Sequence, residues 1–236
     1  MLNLPQVTLF AIDCVNPNRT LLSMQRSMRW VRFGRSVLLT DLERNEGDLI
    51  PEHLRGVALI DHKESDVKRV PCAGTPPIPV DYEQAVLTSG ARYLLTPFML
   101  FMEWDSMVVN PAAWTDEFLQ YDYIGAPWPN HVEEGWPPCN ETNNVGNGGF
   151  ALKSAAFCAK VCEATQLFAG DPAMLSSDRW QCRTIRPWME DHGIVYAPEP
   201  VAARFSCENR IYSGQFGFHG KNTIKVNGWN IEGIGL

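Results

Sequence analysis

The residues best suited to chemistry begin with Glu103-Trp104-Asp105. Carboxylates at i and i+2 of an extended chain point to one side, and a strand end or tight turn can offer both to a single divalent cation. Residues 98–104 (FMLFMEW) read as the strongest buried strand in the chain, which runs directly into Asp105. A charge at the end of such a strand is costly unless it has a partner or a task. Acidic triplets also occur as solvated strand ends, so the spacing alone leaves both readings open.

Four further segments carry candidate groups. Gly146-Asn147-Gly148-Gly149-Phe150 is a glycine loop, in which missing side chains permit unusual dihedrals and close approach by a ligand to exposed amides, or make a simple turn. Ser176-Ser177-Asp178 reads as a helix cap with Asp178 complementing the dipole, or as the place where Asp178 meets a substrate. Glu190-Asp191-His192 puts three titratable groups side by side, but adjacent helical residues diverge and Gly193 signals a C-cap, which favours a solvated helix end. Phe216-Gly217-Phe218-His219-Gly220 sets a lone histidine between glycines, as a structural residue or as part of a closing segment.

These groups need a scaffold, and the hydrophobic pattern supplies one. Residues 7–12 (VTLFAI) read as a strand ended by Asp13, residues 20–33 as a helix with Leu21, Met24, Met28 and Val31 on one face, and residues 37–39 as a strand ending at Thr40-Asp41. A third strand at 57–60 ends at Asp61. Strand, helix and strand alternate as in a doubly wound parallel sheet, which binds ligands at strand C-termini. On that geometry Asp13 and Asp41 are expected beside a bound nucleotide. Residues 71–79 hold four prolines and read as a surface loop, followed by a helix over 82–89. A strand at 150–152, a helix over 154–166 and a last strand at 194–197 complete the pattern.

Composition excludes several classes. Hydrophobic residues make up 45% and charged residues 20% of 236 positions, as in one globular domain, and no apolar run reaches the ~20 residues of a bilayer span. Only peripheral membrane contact is therefore expected. The N-terminal run lacks a basic leader and reads as a first strand. Seven scattered cysteines without a C-x-x-C pair fit reduced thiols in a cytosol rather than a zinc site. A net charge of −7 argues against a nucleic-acid binder, and an acidic ligand would need a local cation or metal ion.

The run Tyr121-Asp122-Tyr123-Ile124-Gly125-Ala126-Pro127-Trp128, followed by Gly146-Asn147-Gly148-Gly149, resembles a bacterial family known only as a domain of unknown function and related to GT-A glycosyltransferases. That family carries Q-x-D where this chain has Glu103-x-Asp105, and the change brings the triplet closer to the D-x-D of other GT-A enzymes. The resemblance spans residues 93–220. It implies a single GT-A-like (Rossmann-like) α/β domain, a mostly parallel central sheet flanked by helices, with a nucleotide-binding half over about 1–110 and a sugar- and acceptor-binding half over about 111–236. It also implies a metal-dependent glycosyltransferase that acts on a nucleotide diphosphate sugar and a glycan or polysaccharide acceptor.

Residue by residue, the resemblance makes Asp105, Glu103 and His219 the metal ligands, with Mn²⁺ or Mg²⁺ as the cation and carboxylate plus imidazole tilting the choice to Mn²⁺. It lays Asn147, Gly148 and Gly149 beneath the transferred sugar or the acceptor, and makes Asp178 the candidate catalytic base or a group that binds the acceptor hydroxyl. Where GT-A families carry a Glu-Asp pair, Ser177 replaces the Glu. Trp128 and Trp136 are candidates to stack on sugar faces or to fill core. Two other classes stay open: a glycoside hydrolase pairing Glu190 with Asp178, and a binding protein without turnover.

Overall fold

The apolar run that opens the chain becomes the middle of a six-stranded sheet. A computed structural model describes residues 1–45, 49, 51–61, 82–128, 144–171, 174 and 176–230. In chain order the elements are β1 (Leu2–Ile12), α1 (Pro17–Met28), β2 (Val31–Thr40), α2 (Leu42–Asn45), β3 (Ala58–Asp61), α3 (Tyr82–Tyr93), β4 (Phe98–Met102), β5 (Ser106–Val108), β6 (Tyr123–Ile124), β7 (Phe150–Ser154), α4 (Ala155–Leu167), α5 (Ser177–Arg179), α6 (Arg186–Asp191), α7 (Glu199–Phe205), β8 (Ser206–Glu208), β9 (Gly217–His219) and α8 (Lys221–Val226).

The large sheet has the order β3-β2-β1-β4-β7-β6. β1 pairs in parallel with β2 and β4, and β2 with β3, while β7 is antiparallel to both β4 and β6. Five of the six strands therefore run one way, so the sheet is mostly parallel, as the sequence leads one to expect. Both faces are covered, which is why these strands read as continuous apolar runs. Leu9, Ala11, Leu38, Leu100 and Met102 join one core with Leu21 and Met24 of α1. Phe10, Ile12, Val37, Leu39, Met99 and Phe101 form a second core that meets Val86 and Tyr93 of α3. After β3 the chain crosses back to lay β4 on the other side of β1, so the crevice at the C-terminal ends of β1 and β4 is a topological switch point.

A second sheet of order β5-β9-β8 is joined to the first by the short turn between β4 and β5. An aromatic cluster ties the two sheets together: Phe150 of β7 lies 5.4 Å from Phe205 of α7, Phe205 lies 5.8 Å from Phe216, and Trp114 meets Phe216 at 5.0 Å. The backbone of Phe216 is also held, its N–H donating to Arg204 O and its carbonyl accepting from Val109 and Asn110.

Several expected boundaries move. The first helix begins at Pro17 and ends at Met28, so Val31 opens β2 instead of facing a helix groove. Proline fits the first helical position, where no N–H partner is needed. β1 and β2 are longer than expected because their first halves are only partly buried and lack a continuous apolar signature. β4 stops at Met102, so Glu103-Trp104-Asp105 forms a turn and not a strand end. Residues 194–197 form no strand. Tyr196 makes an isolated parallel bridge to Tyr123; Ile194 and Tyr196 are buried in a core with Met189 of α6, whereas Val195 is exposed. The proline-rich segment 71–79 and Trp136 lie outside the described residues.

The aromatic cluster fixes β9, and with it His219. Phe216→Ala is expected to destabilise the protein by ~3–5 kcal/mol in denaturant unfolding. A loss under about 1 kcal/mol would mean that the small sheet is held by other contacts.

Candidate metal and sugar site

The turn after β4 is braced from three directions. Ser106 donates its N–H (3.1 Å) and its hydroxyl (2.8 Å) to the Glu103 carbonyl, and that hydroxyl accepts from Glu103 N–H at 3.0 Å. Glu103 N–H also donates to Gly149 O at 3.0 Å, which binds the turn to the glycine loop. From below, Ser23 of α1 donates to Trp104 O, and Ser27 accepts from Val108 N–H. Directly across the small sheet Ser106 is paired with His219, and Gly220 N–H donates to Asp105 O.

This register brings Glu103, Asp105 and His219 together, with one ligand atom from each lying within 4.8 Å of the others. His219 Nε2 is 3.3 Å from Glu103 Oε2 and 3.5 Å from Asp105 Oδ1, and Nδ1 is 3.1 Å from Glu208 Oε1. Glu208 stands opposite His219 on β8 and orients the ring, as carboxylates behind metal-bound histidines do. Burial disfavours the charged imidazolium, yet bonds to Asp105, Glu103 and Glu208 overcome this and lift the His219 pKa well above 6.5. Burial also pushes Asp105 up, but the bond to His219 leaves it below the ordinary carboxylate value.

The donor set fits a divalent cation. Asp105 Oδ1 is buried with only the long 3.5 Å approach of His219 Nε2, which Glu103 shares at 3.3 Å, so a cation would satisfy it better. Two carboxylates and an imidazole suit Mn²⁺ and related ions. His219 does not belong to a mobile closing segment. It sits in β9 between two partner strands, and Gly217 is required because a Cβ there would overlap the Phe150 ring.

Beside the cluster lies a polar cavity of about 110 Å³, lined by Glu103, Asn147, Gly148, Gly149, Lys153, Asp178, Gln181 and His219 among others. The glycines of this loop have no positive φ; their task is close approach. A Cβ at Gly149 would overlap the His219 imidazole, and one at Gly148 would lie 2.9 Å from Asp178 Cβ. The loop is held by Tyr123, whose hydroxyl donates to Gly146 O at 2.8 Å and Asn147 O at 3.0 Å, while Asn147 N–H donates to Ala126 O. The 121–128 and 144–149 segments thus pack as one unit, with Gly125 leaving room for the Asn147 carbonyl.

Asp178 sits on α5, just before a π-helical turn at Trp180–Thr184. Burial raises its pKa, opposed by the Arg179 N–H that donates to Oδ1 at 2.7 Å. A carboxyl with a raised pKa on a cavity wall is suited to proton transfer. Ser176 makes no cap bond to the helix; its hydroxyl donates to Asp178 instead. Lys153 and Gln181 escaped the sequence reading. Lys153, in β7, is buried, 5.1 Å from the Phe101 ring centroid and 3.4 Å from Gln181 Oε1. Gln181 Nε2 and Asn147 Oδ1 are buried without partners in this cavity wall. Nothing in the local pattern marks these residues, since a lysine in ALKS reads as a strand end.

Other candidates lie elsewhere. Asp13 organises the start of α1: Oδ1 accepts from Val15 and Asn16 N–H, and Oδ2 accepts from Thr20. Asp41 is buried beside Cys14, whose thiol is pushed up to about 12 by burial and by Asp41, Asp13 and Asp61. Neither aspartate joins the 103–105–219 cluster. Glu190 is exposed and paired with Arg186, apart from the cavity that Asp178 lines. Trp128 packs under Arg183, 4.4 Å away.

Residues 85–219, more than half of the chain, match the family described as protein of unknown function (DUF5672). The chain belongs to this family. None of the curated proteins matches the sequence. Among solved structures, this DUF5672 member is similar to the galactosyltransferase LgtC in complex with donor and acceptor sugar analogues, with 13% identity over 91% of this chain and 87% of that one and a TM-score of 0.50. The apo form of mouse xyloside xylosyltransferase 1 gives a TM-score of 0.54 at 10% identity, covering 93% and 98% of the two chains. The DUF5672 chain therefore has the fold of GT-A glycosyltransferases. Among its described residues no helix is long and apolar enough to cross a membrane.

Because His219 holds a proton well above pH 6.5 in the metal-free site, a metal ion must displace that proton to bind. Mn²⁺ affinity is expected to go on rising with pH above the ordinary imidazole value of about 6.5, and about one proton per metal should appear in calorimetric titrations run in buffers of different ionisation enthalpy. The carboxylates around the ring move this dependence above the ordinary imidazole value. His219→Ala should flatten the dependence, and pH-independent binding by the parent protein would contradict the assignment.

Proposed function

We propose that this protein is a metal-dependent glycosyltransferase that moves a sugar from a nucleotide diphosphate donor to a glycan-type acceptor. The observation that carries the reading is the meeting of Glu103, Asp105 and His219 at the C-terminal end of the central strand β4, beside a small polar cavity. The glycosyltransferase fold supports it without identifying donor or acceptor.

Asp105, His219 and Glu103, the last directly or through water, would hold the cation, with Glu208 orienting the imidazole. A bound Mn²⁺ or Mg²⁺ supplies Lewis-acid neutralisation of the leaving diphosphate. The cavity then takes the transferred sugar. Asn147 Oδ1 offers an acceptor and Gln181 Nε2 a donor, both lacking partners, so sugar hydroxyls satisfy groups whose burial is otherwise unfavourable. Gly148 and Gly149 let Asp178 and His219 stand close on one wall, and Lys153 adds a buried cation beside Gln181. Asp178 is placed to take the proton of the acceptor hydroxyl, and its raised pKa brings it nearer the working range of a base at neutral pH. The exposed, salt-bridged Glu190 gives the paired-carboxylate hydrolase no second acid. A cytoplasmic setting and a role in polysaccharide synthesis belong to the same reading.

A screen of nucleotide diphosphate sugars for release of nucleoside diphosphate tests it. Asp105→Asn is expected to lower Mn²⁺-dependent turnover by about 100-fold or more, since several kcal/mol of charge stabilisation depend on the cation. Asp178→Asn should lower kcat by a similar factor while donor binding persists. Full Mn²⁺-dependent turnover in Asp105→Asn would overturn the proposal.

A further inference from the structure

Charge is distributed unevenly along this acidic chain. Residues 14–40 carry five arginines and no acidic side chain, against a net charge of −7 for the whole. Four of the five, Arg26, Arg29, Arg32 and Arg35, follow one another at every third residue across the end of α1 and the start of β2. Parallel pairing of Leu2 with Val31 and of Asn3 with Arg32 sets the start of β1 beside them. β1 and β2 lose register between Leu4 and Thr8, and the Pro5 carbonyl occupies the place where a Cβ of residue 34 would lie. At this irregular end of the sheet a cavity of about 220 Å³ opens, lined by Met1, Met28, Phe33 and Gly56 with Arg32 and Arg35 among others.

Arg29, Arg32, Arg35 and Arg55 are exposed, and among the described residues none of them is paired with a carboxylate. Gln25 holds the Arg55 segment against α1, its Nε2 donating to the carbonyls of His53 at 2.9 Å and Arg55 at 2.6 Å. Glu52 is the acidic side chain of that neighbouring segment. The apolar members of the face are Met1, which is 87% exposed, and Trp30 and Phe33, which are half-buried against the main core.

We propose that this face docks the protein on an anionic lipid bilayer, with the arginines on headgroup phosphates and Met1, Trp30 and Phe33 at the boundary of the acyl region. Guanidinium groups bind phosphate oxygens in pairs, and an acidic protein approaches an anionic surface only where its charge is locally reversed. Aromatic and apolar side chains set among the cations favour a bilayer, where amphipathic rings settle at headgroup depth, over a soluble polyanion, which offers them nothing apolar. The placement does not depend on the transferase reading, but it has a consequence for it. The face lies at the N-terminal ends of β1 and β2, whereas Glu103, Asp105 and His219 meet beyond the C-terminal end of β4. At about 3.3 Å per strand residue the two are on the order of 30 Å apart. A docked protein therefore holds the cluster away from the bilayer and open to water.

The test is cosedimentation of the intact protein with vesicles of phosphatidylcholine alone and with vesicles of phosphatidylcholine and phosphatidylglycerol in equal parts, at low and at high salt. Binding is expected only to the anionic vesicles and should fade as salt screens the charges. Arg32→Gln combined with Arg35→Gln should weaken it by about tenfold or more, since each arginine near such a surface is worth about fivefold. Arg204→Gln combined with Arg210→Gln, the same change of charge near β8, should leave binding as in the parent. All four side chains are exposed, and an unchanged melting temperature checks that each variant keeps the fold. A parent protein that stays in solution with anionic vesicles overturns the proposal. So does an Arg32→Gln, Arg35→Gln variant that binds as tightly as the parent, or a control pair that loses binding equally. If the parent binds soluble heparin at this face more tightly than it binds the anionic vesicles, the partner is a polyanion and bilayer docking is overturned.

Discussion

The site depends on one arrangement of charge: a buried imidazole held among three carboxylates at the seam between two sheets. His219 reaches Glu103, Asp105 and Glu208 from a three-residue strand; the first two come from the turn after β4 and the third from β8. Isolated charges at such depth are strongly unfavourable, so the cluster persists through mutual compensation. In the absence of a metal the compensation comes from a proton on the ring. On the proposed reading a divalent cation would replace it with greater charge and would bind the buried Asp105 Oδ1, which has no close hydrogen-bond partner. On that reading the same geometry would serve stability without the ion and chemistry with it.

Holding that arrangement requires absence of side chains as much as their presence. The imidazole rests where a Cβ of residue 149 would be, and Asp178 approaches residue 148 in the same way. Tyr123 and Ala126 fix the loop from behind by bonds to its backbone. Close packing of this kind leaves little freedom for the ligands, which suits a site whose groups must already be oriented when a substrate arrives.

Much of this could be read from the residues. Strands of continuous apolar character announced a sheet buried on both faces, and the charged triplet after the strongest of them marked the turn that carries two of the candidate metal ligands. The pairing of the 121–128 segment with the glycine loop has a physical basis, since the two are one packed unit. His219 was found as a residue type but its rigidity was not, because β9 acquires its partners from residues 106 and 208, far off in sequence. Glu208, Lys153 and Gln181 were invisible for the same reason: their roles come from register and cavity shape, which no local period encodes. Asp13, expected beside a nucleotide, is engaged in the turn before α1, since a carboxylate at a strand end can bind a ligand or organise the helix that follows.

The most direct test is a crystal of the protein grown with Mn²⁺ and a nucleoside diphosphate, measured at a wavelength where manganese scatters anomalously. One peak bonded to Asp105 Oδ1 and His219 Nε2, with a phosphate oxygen completing its coordination, is the predicted result. A site without a peak, or a peak elsewhere while His219 keeps its hydrogen bonds to the carboxylates, would contradict the assignment of this cluster as a metal centre.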